Sequence, residues 1–417
     1  MRNAALLLLL ISNAIPAQTR AAGVNQAVTA EIPKRMKEAI DAHVVNGAVT
    51  LVATTKDVVE FEAQGMADVE ANRPMRKDTI FQIMSMTKPF TAAGIMMLAD
   101  EGKLALRDPV EQYLPEFHNQ RVAANTGPDN ARLGIPEHPI TIRDLLTHTA
   151  GISYGTDSAL ATLYREKGLG PAAGSGWYTA DKDEPICATM ERLASLPFAN
   201  QPGEAWVYGY NTDILGCVVE VASGVPLDEF IRTRITQPLG MKDTHFFVPA
   251  AKRERLVALY ASDAGNHVAR APDGAKGQGH YVNGPRRSFS GGAGLVSTAR
   301  DYARLMQMML NGGELDGVRV LSPQTVALMT TNQTGTLYST SGEGFGLGFS
   351  IVERLGADNT LFSVGAFGWG GAYGSQYRVD RKQGVVLIFM LNQLPNRSDV
   401  AGKFPVLVYQ AMTSVRE

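Results

Sequence analysis

Ser85 and Lys88 stand three residues apart in the segment Phe81-Gln-Ile-Met-Ser85-Met-Thr-Lys88-Pro89-Phe-Thr-Ala. Side chains at i and i+3 share one face of a helix. A serine beside a lysine that can shed its proton is an activated nucleophile. A helix N-terminus adds positive potential where an oxyanion would form. Pro89 has no backbone donor and fits only near a helix start, so the spacing predicts a helix beginning close to Ser85. From Pro89 to Ala99 no residue is charged, and a helix apolar on every side is buried. A lysine at the mouth of such a helix is withdrawn from water, which favours the neutral amine. By itself the S-x-x-K string is also compatible with a capping serine and a lysine paired to a carboxylate.

A second serine competes. Gly151-Ile-Ser153-Tyr-Gly155 has the G-x-S-x-G form of a nucleophile elbow, with His245, His267 and His280 downstream as triad partners. That elbow needs a strand before the serine and a helix after it. The preceding residues 141–150 read as helix, so Ser153 is expected in a glycine turn rather than at a catalytic centre. His148 is expected to be a structural histidine.

The elements that must hold these groups follow from periodicity. Residues 31–46 have an amphipathic helical pattern, and residues 48–54 and 58–63 read as a strand pair. Thr141 is a candidate N-cap with Asp144 at N3. Residues 212–223 and 298–311 are predicted helices, the latter ending at Gly312–Gly313. Residues 345–352, 374–380 and 384–391 read as strands, 405–415 as a final helix, and 262–294 as a long loop over a cleft. With strands at both ends of the chain and helices between, the pattern implies an α+β fold. One antiparallel sheet would be flanked by helices, its parts coming from about 23–110 and 285–417, with a mainly helical region inserted at about 111–284.

Further segments carry a family likeness. Ser85-x-x-Lys88, Leu145-Leu-Thr-His148-Thr-Ala-Gly151, Trp206-Val-Tyr208-Gly-Tyr210-Asn-Thr-Asp, Gly291-Gly-Ala-Gly-Leu and Trp369-Gly370-Gly371 follow one another as do the motifs of the serine β-lactamase and penicillin-binding-protein superfamily. The chain resembles that superfamily over about residues 30–415, and most of all its β-lactamase-like, family VIII carboxylesterases, whose third motif is W-G-G. The resemblance implies a β-lactamase/transpeptidase-like fold and an acyl-enzyme on Ser85. Lys88 and Tyr208 would be the base system, and the N–H groups of Ser85 and Ala372 the oxyanion hole. Trp369, Gly370, Gly371 and Tyr210 would contact substrate. A tyrosine works as a base only beside a cation that favours its anion, which is consistent with that pairing.

Two positions depart from the family pattern. Tyr210 stands where the Y-x-N element has Asn, and uncharged Trp369 stands where a K-T-G strand has Lys. Loss of that charge removes a partner for an anionic ligand, and a Trp favours apolar or aromatic esters. The reading is therefore a carboxylesterase acting on a small-molecule ester. A β-lactamase or D-amino-acid peptidase, acting on a β-lactam or D-amino-acid amide, and a non-catalytic penicillin-binding-like sensor are the alternatives.

Composition narrows the rest. Net charge is −2, without the basic excess that nucleic-acid binding needs. Hydrophobic residues make up 45% of the 417, enough for a large core rather than a disordered chain. No metal-ligand motif occurs and no cofactor is expected. Residues 1–22 read as a signal peptide: Arg2, then an apolar run of eight from Ala4 to Ile11, too short to span a bilayer, then small residues. No later run reaches the length of a membrane span, so no stable membrane insertion is expected. The expected location is exported, periplasmic or secreted. Cys187 and Cys217 are either a disulfide or two buried thiols.

Overall fold

The computed structural model describes residues 29–124, 132–156, 160–170, 181–263, 265, 267–272, 274, 278–396 and 398–412; the signal-peptide reading of residues 1–22 lies outside these. Eight strands form one antiparallel sheet: β1 (Gly47–Ala53), β2 (Val58–Asp68), β3 (Arg73–Pro74), β4 (Glu343–Phe345), β5 (Ser350–Val352), β6 (Phe367–Gly370), β7 (Gly374–Asp380) and β8 (Val385–Asn392), in the order β4-β5-β6-β7-β8-β1-β2-β3. β1 pairs with β8, with Val49 opposite Met390 and Leu51 opposite Ile388. The two ends of the chain thus meet in the middle of the sheet.

Both of these strands are buried along their whole length. A strand that reads as an unbroken apolar run is covered on both faces, and alternate residues go to opposite sides. Val49, Leu51, Val386, Ile388 and Met390 join the main core. Ala48, Val52, Leu387, Phe389 and Leu391 join a second core under helices α1 (Glu31–Asp41) and α7 (Val400–Ala411), which contribute Ile32, Met36, Phe404 and Val408.

The main core holds α2 (Lys88–Asp100), buried at every position from Lys88 to Leu98. It packs on α5 (Asn211–Ser223), and Gly94 leaves room for Phe230, whose ring carbon would lie 3.1 Å from an added Cβ. α3 (Ile142–Leu146) is closed by a capping box. The Thr141 Oγ1 accepts from the Asp144 N–H, and the Asp144 carboxylate accepts from the Thr141 N–H. α4 (Ile186–Ala194) is tied to α5 by the Cys187–Cys217 disulfide, with Cα atoms 5.6 Å apart. Thr298 caps α6 (Ala299–Leu310), accepting from the Asp301 N–H.

Three elements differ from the periodicity reading. Residues 345–352 are not one strand but the ends of two, joined by a turn at 346–349 in which Gly348 has φ of +94°. The last helix begins at Val400 and carries Pro405 inside it. Burial of Val400, Phe404, Val408 and Ala411 on the sheet outweighs the hydrogen bond that a proline removes. The 262–294 stretch contains a short strand, Val268–Arg270, paired with Tyr260–Ser262.

Glu60 on β2 is an expensive residue for this sheet. Thr50 donates to its Oε1 at 2.8 Å, while Oε2 is buried with no hydrogen-bond partner among the described residues. Burial pushes the carboxyl from 4.5 up to about 7, against the Thr50 hydrogen bond. Between those two values the folded protein retains a proton that the unfolded chain releases, so stability falls as pH rises through this window. Glu60→Gln keeps the acceptor and removes the charge. It is expected to raise the unfolding temperature at pH 8, by up to about 3 kcal/mol of stability, and to do little at pH 4.5. Equal melting curves for both proteins at pH 8 would contradict this.

Candidate active site

Ser85 lies in a 3₁₀ turn, Met84–Thr87, that runs directly into α2 at Lys88. In a 3₁₀ turn residues i and i+3 eclipse one another, which lines the Ser85 hydroxyl up with the Lys88 amine. Met84 has φ of +49°, a left-handed conformation that side chains rarely adopt and that concentrates at functional turns. The turn is held from outside: the Ile83 N–H donates to the Leu295 carbonyl, the Leu295 N–H to Thr87 Oγ1, and the Tyr302 hydroxyl to the Met86 carbonyl. Ser85 remains partly exposed while Lys88 is 1% exposed.

Lys88 Nζ has three polar neighbours: Ser85 Oγ at 3.1 Å, the Tyr154 hydroxyl at 3.0 Å and the Gly292 carbonyl at 2.9 Å. A tetrahedral nitrogen bonded to its own chain has three directions left, and all three are used. As an ammonium it donates along each. As a neutral amine it turns its lone pair to one neighbour, and only Ser85 and Tyr154 carry a proton to donate; the Gly292 carbonyl can only accept. The geometry therefore makes a serine–amine–tyrosine proton chain.

Tyr154 is not singled out by the sequence motifs. It sits inside the Gly151–Gly155 string, which does not form an elbow: α3 and a loop precede it. Ser153 is 3% exposed, and its Oγ accepts from the Gly155 N–H at 2.9 Å. Gly151 and Gly155, both at φ above +70°, shape the turn that presents the tyrosine. His245, His267 and His280 contact Lys252, Asp263 and Asp181 respectively.

Tyr208 also reaches the amine, by its ring: Lys88 Nζ is 4.6 Å from the ring centroid. Its hydroxyl accepts from the Trp369 indole N–H at 3.0 Å. Tyr210, expected to face substrate, is instead 2% exposed. Its hydroxyl accepts from the Gly170 N–H at 3.1 Å, and its ring supports Tyr154 edge-on at 4.8 Å. Asn211, the next residue, is the tie. Its amide donates to His148 Nδ1 at 2.9 Å and to the carbonyls of Ile152 and Val207. Gly209 is required for this approach, since a Cβ there would lie 2.1 Å from the Ile152 carbonyl oxygen. His148 is fully buried. Burial first, and then the charge of Lys88, hold it well below the ordinary imidazole range, so the ring is neutral and packs 4.8 Å from Tyr208.

At the far side, β6 ends in Trp369 and Gly370. A Cβ on Gly371 would lie 2.5 Å from the Ile83 carbonyl oxygen, so the strand end rests on the turn that carries Ser85. The Gly371 N–H is taken by the Ser375 carbonyl at 2.7 Å. Ala372 follows, exposed. Among the described residues no group of three or more His, Cys, Asp or Glu is placed to hold a metal ion.

Residues 32–411 match the family described as Beta-lactamase. The chain belongs to the beta-lactamase family. Esterase EstB of Burkholderia gladioli is 35% identical over 362 residues, covering 83% of this chain and 86% of EstB. The lovastatin esterase of Penicillium rubens is 29% identical over 369 residues, covering 82% and 88%. Among solved structures, EstCE1, described as a hydrolase with promiscuous acyltransferase activity, superposes with a TM-score of 0.78 at 26% identity, covering 93% of this chain and 99% of its own. The fold is that of the β-lactamases and transpeptidases, and the protein is a serine hydrolase.

In this beta-lactamase-family hydrolase the wall beside Tyr208 is aromatic. Trp206 stacks on Tyr208 at 5.5 Å with ring planes 9° apart, and Trp369, Tyr338 and Phe345 pack edgewise or tilted around it. Gly371→Ala should push the end of β6 off the Ile83 carbonyl. Since displacement of a site by about 1 Å costs on the order of 100-fold, kcat/KM for an ester is expected to drop at least tenfold while the far-ultraviolet circular dichroism stays unchanged. Full activity in that variant would show that the contact does not position the site.

Proposed function

We propose that the protein is an exported carboxylesterase that cleaves small-molecule esters of short or medium acyl chains through an acyl-enzyme on Ser85. The observation that carries this reading is the buried Lys88 amine with the Ser85 and Tyr154 hydroxyls both within 3.1 Å of it. Ser85 Oγ attacks the ester carbonyl as its proton passes to Lys88 Nζ. The oxyanion is met by the N–H groups of Ser85 and Ala372. The first N–H groups of a helical turn have no partner inside it, which leaves the Ser85 N–H without a backbone acceptor among the described residues. Collapse of the tetrahedral intermediate expels the alcohol, which takes a proton from the tyrosine–lysine pair. A water then attacks the acyl-enzyme, giving its proton to the same pair, which passes it to Ser85 Oγ as the acyl–oxygen bond breaks and the acid leaves.

Tyr154 hands the proton to and from Lys88, and Tyr208 lies over the amine with its oxygen held by Trp369. Trp369 also supports the ester assignment over a β-lactam or D-amino-acid amide, because an aromatic wall attracts apolar groups and supplies no charge for a carboxylate. The names of EstB and the lovastatin esterase point the same way. Export is supported by the N-terminal pattern and by the Cys187–Cys217 disulfide, which suits an oxidising compartment.

Ser85→Ala should abolish hydrolysis of p-nitrophenyl butyrate and labelling by a fluorophosphonate, whereas Ser153→Ala should retain both; persistent turnover in Ser85→Ala overturns the assignment. On the same protein, nitrocefin and a D-alanyl peptide should be turned over orders of magnitude more slowly than the ester. Tyr154→Phe removes a hydroxyl that touches the amine, and kcat should fall about 100- to 1,000-fold. Tyr208→Phe removes one that touches Trp369, and its loss should be smaller. The reverse ranking would assign the proton relay to Tyr208.

A further inference from the structure

Behind Lys88 lies a carboxyl group that the proton chain above does not use. Asp213, the third residue of α5, is fully buried. Its Oδ1 accepts from the Ser290 hydroxyl and, at 3.2 Å, from the Gly292 N–H. The same Gly292 offers its carbonyl to Lys88. The turn is pressed onto the carboxylate: a Cβ on Gly292 would lie 2.5 Å from Asp213 Oδ2, and one on Gly291 would lie 2.7 Å from the Thr212 carbonyl oxygen. Thr91 of α2 pins the turn from the other side by donating to the Gly291 carbonyl at 2.8 Å.

We propose that Asp213 is a positioning residue of the hydrolase, fixing the 290–292 turn whose Gly292 carbonyl orients the Lys88 amine and adding a negative charge to the proton balance of Ser85, Lys88 and Tyr154. The choice of residue carries the argument. One oxygen accepts both hydrogen bonds, so asparagine would satisfy the turn equally well and would escape the penalty of burying a charge. What only aspartate adds is charge. Asp213 makes no ion pair within 4.0 Å among the described residues, and the cation that acts on it is Lys88. Burial is the largest influence and raises its carboxyl above the ordinary value, against the Ser290 hydroxyl, Lys88, the Gly292 N–H and its own backbone N–H, which lower it. Of the other groups around the amine, His148 is buried and held neutral. Asp213 thus acts on the reaction through Lys88, without touching substrate.

This inference rests on the Ser85–Lys88 chemistry, and its test separates the two. The parent enzyme is first labelled with a fluorophosphonate; failure to label Ser85 sinks that chemistry itself. Asp213→Asn is then compared with the parent in melting temperature, kcat, KM and the pH profile of kcat/KM. It should fold and melt no lower than the parent by more than a few degrees. Its kcat should fall at least tenfold with KM within about threefold, and the acid limb should move to lower pH by about one unit, since removal of a nearby negative charge favours the deprotonated form of the unit. Ser290→Ala withdraws a donor that favours the Asp213 carboxylate, so its acid limb should move the same way by less. An unmoved acid limb in Asp213→Asn overturns the proposal, whatever happens to kcat. If Asp213→Asn does not fold, an unmoved limb in Ser290→Ala does so.

Discussion

An amine deprived of water needs every one of its protons answered by protein, and most of this structure can be traced to that need. The three neighbours of Lys88 come from three stretches, two of them remote in sequence: Ser85 from the adjoining turn, Tyr154 from the segment between α3 and the helical middle of the chain, and Gly292 from the lead-in to α6. Leaving any of them unpaired would cost the desolvation of a polar group. The site is therefore assembled only when the inserted helical part and the C-terminal part have both docked on α2. The β1–β8 pairing at the centre of the sheet serves the same end. It brings residues some 340 positions apart into one layer, and β6 reaches the Ser85 turn from that layer.

The two tyrosines near the amine are separated in role by what else they touch. The hydroxyl of Tyr208 has one lone pair committed to the Trp369 indole N–H, and its ring is stacked on Trp206 and packed against His148. Such a ring is held rigidly in the wall, presenting its face to Lys88. Tyr154 points its oxygen at the amine and is braced edge-on by Tyr210. Replacement of a charged strand residue by Trp369 thus does more than remove a charge. It gives the aromatic wall its donor and fixes the orientation of the neighbouring phenol.

What could be read from the sequence divides along the same physical lines. Ser85 and Lys88 were legible because their relation is local: a three-residue spacing, a proline that marks a helix start, and an uncharged run that must be buried. β1, β2, β7 and β8 were legible because a buried strand writes its pattern in consecutive residues. Tyr154 was not, since nothing local says that a tyrosine 66 positions from Lys88 will meet it. Its glycine-flanked turn was the sole trace. Tyr210 was misplaced because a motif was read in register. The structure uses Asn211 one position later as the tie at the start of α5, and it turns Tyr210 inward. Pro405 reads locally as a helix start, whereas burial of the apolar face of α7 carries the helix through it.

Strain and unmet polarity gather around this centre in a way that packing alone would not favour. Met84 and His148 both hold positive φ, each a conformation that costs on the order of 1–3 kcal/mol for a side-chain-bearing residue. His148 Nε2, Asn211 Oδ1 and Trp206 Nε1 are buried without a hydrogen-bond partner among the described residues, and these three residues border Tyr208 or its support. A fold selected only for stability would replace such groups with apolar ones of similar shape. Their retention beside the Ser85 turn is understandable if the site needs a neutral imidazole and a rigid aromatic wall behind Tyr208. The energy for holding them there comes from the fully buried β1 and β8 and from the apolar body of α2 beyond Lys88.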